Sequence, residues 1–159
     1  MVIEAVPGQP YTLVLGLGRS GIGASRLLRR MGQAVLLIES NTNDALSAKA
    51  ESLRSEGIAV ALGVPLDASI VSRLSAAPQR VIVSPGIRWD HPALEALRAA
   101  GIHCDGEITT AWEATRPVPW IGITGTNGKT TVTHLVAHLL AAAGLDAPMC
   151  GNVGHSAAE

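Results

Sequence analysis

One glycine-rich segment, residues 121–131, constrains the fold of this chain more than any other. It reads Ile-Gly-Ile-Thr-Gly-Thr-Asn-Gly-Lys-Thr-Thr. A short apolar run from Val118 precedes it, and apolar residues at helical spacing follow it from Val132. The pattern predicts a strand, a glycine loop and a helix that begins at the loop. Backbone N–H groups and the helix dipole attract an anion at such a junction, and Lys129 adds a positive charge. We therefore predict a phosphate-binding loop.

The predicted phosphate contacts come from seven consecutive residues: Gly125, Thr126, Asn127, Gly128, Lys129, Thr130 and Thr131. The hydroxyl of Thr130 is suited to bind Mg²⁺. The usual pattern G-x-x-x-x-G-K-[ST] requires glycine at Ile123, whereas this chain has it one residue earlier, at Gly122. A glycine-rich connection with a chance Gly-Lys-Thr is the alternative. The order of strand, loop, lysine, hydroxyl and helix favours the phosphate loop.

Composition limits the class of protein. The chain has 159 residues, of which 47% are hydrophobic, enough for the core of one domain and a part of another. The net charge of −1 gives no basic surface for nucleic acid. No apolar run approaches the length of a membrane span, and residues 1–10 lack the features of a signal peptide. We expect Cys104 and Cys150 to be reduced thiols, and the protein to be a cytoplasmic monomer without membrane insertion.

A second glycine motif lies near the N-terminus. Residues 16–21 read Gly-Leu-Gly-Arg-Ser-Gly, a G-x-G-x-x-G pattern between a predicted strand at 11–15 and a predicted helix at 22–31. In this motif Gly16 permits the tight turn, Gly18 lets a ligand approach the backbone, and Gly21 lets the helix pack on the strand.

An acidic residue, Glu39, directly follows the next predicted strand, at 34–38. Folds with this glycine motif place a ribose-binding carboxylate at such a position, so the two features together favour NAD. The same crevice also suits other nucleotide-like ligands. Plain packing of a helix against a strand is a third interpretation.

Strands and helices alternate through the remainder of the first hundred residues. We predict helices at 44–56, 66–74, 93–100 and 106–115, and strands at 58–62, 80–83 and 102–104. Such alternation predicts an α/β, Rossmann-like, doubly wound parallel sheet. Right-handed crossovers bring the loops 16–21, 39–41 and 84–87 to one crevice.

We expect two domains, with residues 1–105 forming the Rossmann-like domain. Residues 106–159 would be the incomplete N-terminal part of a P-loop ATPase domain, because a single strand, loop and helix cannot bury their own faces. The chain would then be the N-terminal portion of a longer protein.

Five motifs in this order resemble the Mur ligases of peptidoglycan synthesis, most closely the branch that adds D-glutamate. They are the Gly16–Gly21 loop, the acid Glu39, Ser84-Pro85-Gly86-Ile87, His91-Pro92 and the phosphate loop. The resemblance covers the whole chain. Thr-Gly-Thr-Asn-Gly-Lys-Thr also marks a wider superfamily that includes folylpolyglutamate synthetase, and it accounts for the displaced glycine.

The resemblance changes the ligand expected in the first domain. In this family the domain holds the UDP part of a nucleotide-sugar peptide instead of NAD. The implied substrate contacts are Gly18, Arg19, Ser20, Glu39, Ser40, Ser84, Gly86 and Asn152. The family commonly has Asp-Thr at Glu39-Ser40, and Cys150 replaces the first glycine of its Gly-Gly-Asn loop.

The resemblance also implies a reaction that uses ATP and Mg²⁺. The family converts the terminal carboxylate of UDP-N-acetylmuramoyl-L-alanine to an acyl phosphate, which the amine of D-glutamate attacks. Lys129 would be the catalytic residue of this chain, and Thr130 would help to hold Mg²⁺. The family's other functional residues correspond to positions after Glu159, so we expect the chain alone to bind nucleotides without ligating.

Three other functions remain open. The L-alanine-adding branch of the family usually has Gly-Ile-Gly-Gly-x-Gly-Met in its first loop, which this chain lacks. An NAD-dependent oxidoreductase would leave the Gly-Lys-Thr loop unexplained. A non-catalytic module that binds a UDP-sugar would use the first crevice alone.

Overall fold

Five parallel strands form one sheet in a computed structural model that describes Ile3 and residues 8–159. The strands are β1 (Tyr11–Leu15), β2 (Ala34–Glu39), β3 (Ala59–Leu62), β4 (Arg80–Val83) and β5 (His103–Gly106). Their order across the sheet is β3-β2-β1-β4-β5, with every neighbouring pair parallel. Most of residues 1–10, for which no signal peptide is predicted, lies outside the described residues.

The strand order reverses next to β1. The chain moves outward from β1 to β2 and β3, and then returns to place β4 on the other side of β1. Ligands bind at such a switch point, outside the carboxyl ends of the strands. The fold therefore places a crevice between the loops that follow β1 and β4.

Six helices connect or follow these strands in the described chain. They are α1 (Arg19–Arg30), α2 (Asp44–Ser55), α3 (Ile70–Arg73), α4 (Pro92–Ala99), α5 (Glu107–Ala114) and α6 (Lys129–Ala142). Side chains fix two of the helix starts. The Asn43 side chain accepts a hydrogen bond from the Leu46 N–H, and His91 Nδ1 accepts one from Ala93, beside a proline in the first turn of α4.

Both faces of the sheet are buried, which explains its nearly continuous apolar strands. Alternate residues of β1 point into different core clusters: Leu13 and Leu15 into one, and Val14 into the other. The second cluster includes Leu28 of α1 and Leu53 of α2. The predicted doubly wound α/β fold is confirmed.

The strand predicted before the phosphate loop is wrong. Residues 118–128 contain neither strand nor helix, and Val118 and Ile121 are 60% and 61% exposed. A strand is stable only when a neighbour satisfies its backbone hydrogen bonds, and this segment pairs with no strand of the described sheet.

The helix predicted at 66–74 is also shorter than expected, since α3 begins at Ile70. The Asp67 carboxylate accepts hydrogen bonds from the backbone N–H and the hydroxyl of Ser69, at 2.8 and 2.6 Å. This local turn competes with the first turn of a helix.

The last helix, α6, has no buried residue. Its apolar residues are at helical spacing, as predicted, yet Leu135 and Leu139 are 56% and 59% exposed. Helix α6 therefore has an exposed apolar surface. No helix of the described chain is both long and apolar enough to cross a membrane.

Candidate functional site: a crevice at the carboxyl end of the sheet

A cavity of about 570 Å³ lies at the carboxyl ends of β1, β2 and β4. All eight residues predicted to contact the substrate line it: Gly18, Arg19, Ser20, Glu39, Ser40, Ser84, Gly86 and Asn152. Seven of them come from the three loops that the parallel topology was expected to bring together. Asn152 lies after α6 and was expected here only from the family resemblance. The contact of these residues with a ligand remains a prediction.

The three motif glycines have different surroundings. Gly16 has a φ of +97°, a conformation that other residues rarely adopt. A side chain at Gly21 would collide with the carbonyl oxygen of Gly16, so this glycine lets α1 pack on the turn. Gly18 has ordinary extended angles, and no protein atom lies within 4 Å of a Cβ placed there. The free space at Gly18 is where a ligand can approach the backbone.

Glu39 ties the end of β2 to the glycine loop. One carboxylate oxygen accepts a hydrogen bond from the backbone N–H of Leu17 at 2.9 Å. The other accepts from the backbone and side-chain amides of Asn41 and from the Ser40 hydroxyl. Burial raises the pKa of the carboxyl group, but these hydrogen bonds outweigh it and the net pKa lies below its ordinary value. Glu39 therefore holds two cavity loops together as an ionised group.

Ser84 connects the third loop of the crevice to the first. Its backbone N–H donates to the carbonyl of Leu15 at 3.2 Å, and its Oγ lies 3.5 Å from the carbonyl oxygen of Gly16. The Ile87 N–H donates back to the Ser84 carbonyl and closes the turn. The turn that carries Gly86 is thus fixed against β1.

Five cavity residues were not predicted from the sequence: Leu15, Ile38, Leu66, Glu107 and Ile108. Glu107 directly follows β5, at the same edge of the sheet as the predicted loops. The rule that parallel strands end at one edge would have found it had it been applied to the fifth strand.

The phosphate loop lies outside this cavity and is exposed. Gly128, with a φ of +74°, caps α6 without a side-chain hydrogen bond, and the first turn has no acidic residue. The first N–H groups of a helix lack intrahelical acceptors, so they are free to meet an anion. The Lys129 ammonium donates to the carbonyls of Gly125 and Thr126, at 2.6 and 3.2 Å.

This set of donors fits a phosphate group. It combines free amides, an ammonium and the Thr130 hydroxyl, and no carboxylate in the first turn of α6 would repel an anion. The described residues contain no group of three or more His, Cys, Asp or Glu side chains that could hold a metal. Thr130 as a ligand of Mg²⁺ remains a prediction from the sequence.

The fold and the crevice define the class of this protein: an α/β domain of Rossmann-like topology with a cavity at the carboxyl end of its sheet, followed by a glycine-rich loop and a helix. Residues 11–106 match the family model for the Mur ligase MurD-like N-terminal domain, and residues 123–158 match the Mur ligase middle domain. The chain belongs to the MurD-like Mur ligase family.

The relatives in sequence are D-glutamate ligases. The chain is 53% identical over 148 residues to the UDP-N-acetylmuramoylalanine–D-glutamate ligase of Parasynechococcus marenigrum, and 55% identical over 148 residues to that of Prochlorococcus marinus strain MIT 9313. Each match covers 93% of this chain and 32% of the relative. The chain thus spans about a third of the length of these curated relatives.

Solved structures share the fold at lower identity. The UDP-N-acetylmuramate-alanine ligase MurC of Thermotoga maritima superposes with a TM-score of 0.51 at 24% identity, covering 84% of this chain and 29% of that one. A murein peptide ligase of Psychrobacter arcticus superposes with a TM-score of 0.55 at 23% sequence identity, and the match covers 86% of this chain and 27% of that one. At this identity the likeness supports the Rossmann-like fold alone.

Proposed function

We propose that this chain provides the substrate crevice and the phosphate loop of an ATP-dependent ligase that joins D-glutamate to UDP-N-acetylmuramoyl-L-alanine. One observation carries the proposal: a single cavity contains all the residues that the family resemblance assigns to the UDP-substrate, in a chain that belongs to this family. The relatives in sequence are named as D-glutamate ligases, which favours the addition of D-glutamate over the addition of L-alanine.

The crevice would bind the UDP-substrate through its three loops. Arg19 and Ser20 lie on the glycine loop, where the uracil is expected, and Glu39 with Ser40 would form the second uracil contact. Gly86 would lie beside the diphosphate. The hydrogen bonds of Glu39 hold the first two loops in position before the ligand arrives, and those of Ser84 hold the third, which lowers the entropy lost on binding.

The phosphate loop would bind ATP, the second nucleotide, and would neutralise the negative charge of its phosphates. ATP with Mg²⁺ supplies the phosphoryl group that activates the terminal carboxylate of the substrate. A carboxylate approaching a polyphosphate is repelled, so the site must neutralise negative charge. Lys129 would leave its loop carbonyls and contact the phosphates, the loop amides would bind phosphate oxygens, and Thr130 would help to hold Mg²⁺.

We also propose that residues 1–105 form the substrate domain and that residues 106–159 begin the ATP-binding domain of a cytoplasmic monomer. The two family models lie on either side of residues 107–122. In the described chain α5, the first helix after the proposed boundary, packs against α1, β4 and β5 of the Rossmann-like domain, with Ala111 fully buried.

A coupled phosphate-release assay on the full-length ligase tests this function. We expect release only when ATP, UDP-N-acetylmuramoyl-L-alanine and D-glutamate are all present. Release with UDP-N-acetylmuramic acid and L-alanine instead would contradict the proposal and indicate an alanine ligase. Residues 1–159 alone should bind UDP without releasing phosphate.

A further inference from the structure

Residues 150–159 form a segment that packs against helix α1 of the Rossmann-like domain and against helix α5; we name it the return segment. Asn152 of this segment lines the cavity. Its far end is buried, since Ser156 and Ala158 are only 3% and 2% exposed, and Ala158 belongs to a core cluster. The position of Asn152 therefore depends on how this end is held.

Glu107 holds the buried end of the return segment. It is the first residue of α5 and is 4% exposed. One oxygen of its carboxylate accepts hydrogen bonds from the Ser156 hydroxyl and from the Ala158 N–H, the latter at 3.0 Å. Buried polar groups without partners are costly, so these bonds fix the segment strongly.

Helix α1 provides the space for this contact. A side chain at Gly23 would collide with the Ser156 hydroxyl, and its Cβ would lie 3.1 Å from Ser156 Cβ. Arg30 of the same helix donates to the Ala158 carbonyl at 3.1 Å, and Arg19 approaches the Gly154 carbonyl at 3.4 Å. The N-terminal domain thus forms a socket for the return segment.

We propose that Glu107 is a positioning residue, which places Asn152 in the cavity by anchoring Ser156 and Ala158. This inference rests on the proposed function, because it assigns Asn152 to the sugar-diphosphate part of the substrate. Glu107 acts as a hydrogen-bond acceptor, so glutamine can replace it through its carbonyl oxygen. Alanine leaves the buried Ser156 hydroxyl without this acceptor, and it leaves the Ala158 N–H with only the longer contact to Ser156 Oγ, at 3.4 Å.

Equilibrium titrations of residues 1–159 test the proposal with two probes. UDP-N-acetylmuramoyl-L-alanine contains the N-acetylmuramoyl sugar and the diphosphate, whereas uridine, which is uracil joined to ribose, contains neither. We expect Glu107→Ala to weaken binding of the first probe about tenfold and to leave uridine binding unchanged. Glu107→Gln should restore most of the affinity. The matched control is Glu113→Ala, on the same helix, whose carboxylate pairs with Arg80 away from the return segment.

Hydrogen exchange provides a measurement that does not depend on the ligand. In Glu107→Ala the amides of residues 150–159 should exchange faster, while those of β1 and β4 stay as in the wild type. The inference about Glu107 is overturned if Glu107→Ala binds the UDP-substrate as tightly as the wild type. It is also overturned if Glu107→Gln and Glu107→Ala lose the same affinity. Either result leaves the proposed function intact. A wild-type chain that does not bind the UDP-substrate overturns the proposed function as well.

Discussion

The Glu39 carboxylate accepts a hydrogen bond from the backbone N–H of Leu17 at 2.9 Å, and this contact joins the end of β2 to the glycine loop after β1. The two residues are 22 positions apart in sequence. A polar side chain that bridges two loops of a cavity contributes both to the stability of the fold and to the shape of the site.

Glu39→Gln should destabilise the chain at neutral pH, because the amide nitrogen of glutamine replaces an acceptor that faces N–H donors. We expect a loss of about 1 kcal/mol, equivalent to a decrease of roughly 2–4 °C in Tm. Thermal unfolding followed by circular dichroism measures it. The control is Glu51→Gln, whose side chain is 76% exposed and should leave Tm unchanged.

The stabilisation by Glu39 should also depend on pH. Its pKa is lower in the folded state than the ordinary value of 4.5, so the ionised form stabilises the fold above that value. The contribution is lost as the pH falls through the folded-state pKa. The difference in Tm between wild type and Glu39→Gln should therefore be constant from pH 7 to about pH 5 and then shrink. A difference that grows on acidification would contradict this account.

Two substitutions in the glycine loop should have different effects. We expect Gly21→Ala to reduce stability and Gly18→Ala to weaken ligand binding. A methyl group at Gly21 collides with the backbone of Gly16, so unfolding free energy should fall by about 1–3 kcal/mol. A methyl group at Gly18 meets no protein atom within 4 Å, so Gly18→Ala should fold like the wild type and bind UDP more weakly. Urea unfolding and UDP titration measure the two effects. Normal UDP binding by Gly18→Ala would show that the ligand does not approach this position.

Lys129→Ala should lower the ligation rate of the full-length enzyme by roughly 10²–10³, comparable to the loss of one oriented donor that stabilises charge. The reason is that the ammonium adjoins the loop carbonyls at the N-terminus of α6, where the phosphates are expected. Phosphate release under saturating substrates measures the rate. Lys49→Ala, an exposed lysine on α2, is the control and should keep the normal rate. A near-normal rate in Lys129→Ala would refute its catalytic role.

A substitution in α6 should reduce the free energy of unfolding far less than a substitution in α1. Leu135 is 56% exposed, so Leu135→Gln should change the unfolding free energy of residues 1–159 by less than about 0.5 kcal/mol. Leu28 is fully buried, and Leu28→Ala should cost about 2–5 kcal/mol. Equal losses in both variants would mean that α6 is packed in the core.

Much of the fold could be predicted because its rules are local or topological. Strands β1 and β4 have the predicted bounds, since apolar runs between glycine and polar residues define them. The crevice followed from parallel topology alone, which places the loops after Leu15, Glu39 and Val83 at one edge.

The remaining features depend on contacts between distant residues. Glu107 and Ser156 are 49 positions apart, and no residue pattern in the sequence predicts their hydrogen bond. The strand predicted after Val118 failed because strand formation requires a neighbouring strand, which the apolar pattern does not reveal. The motif at residues 16–21 together with Glu39 favoured NAD, and only the family resemblance, which rests on all five motifs, implied a UDP-substrate.

Titration of residues 1–159 with UDP and with NADH tests the central claim most directly. We predict that UDP binds in the crevice more tightly than NADH, and that Gly18→Ala weakens this binding. Tighter binding of NADH than of UDP would contradict the account and restore the dinucleotide interpretation of the glycine loop.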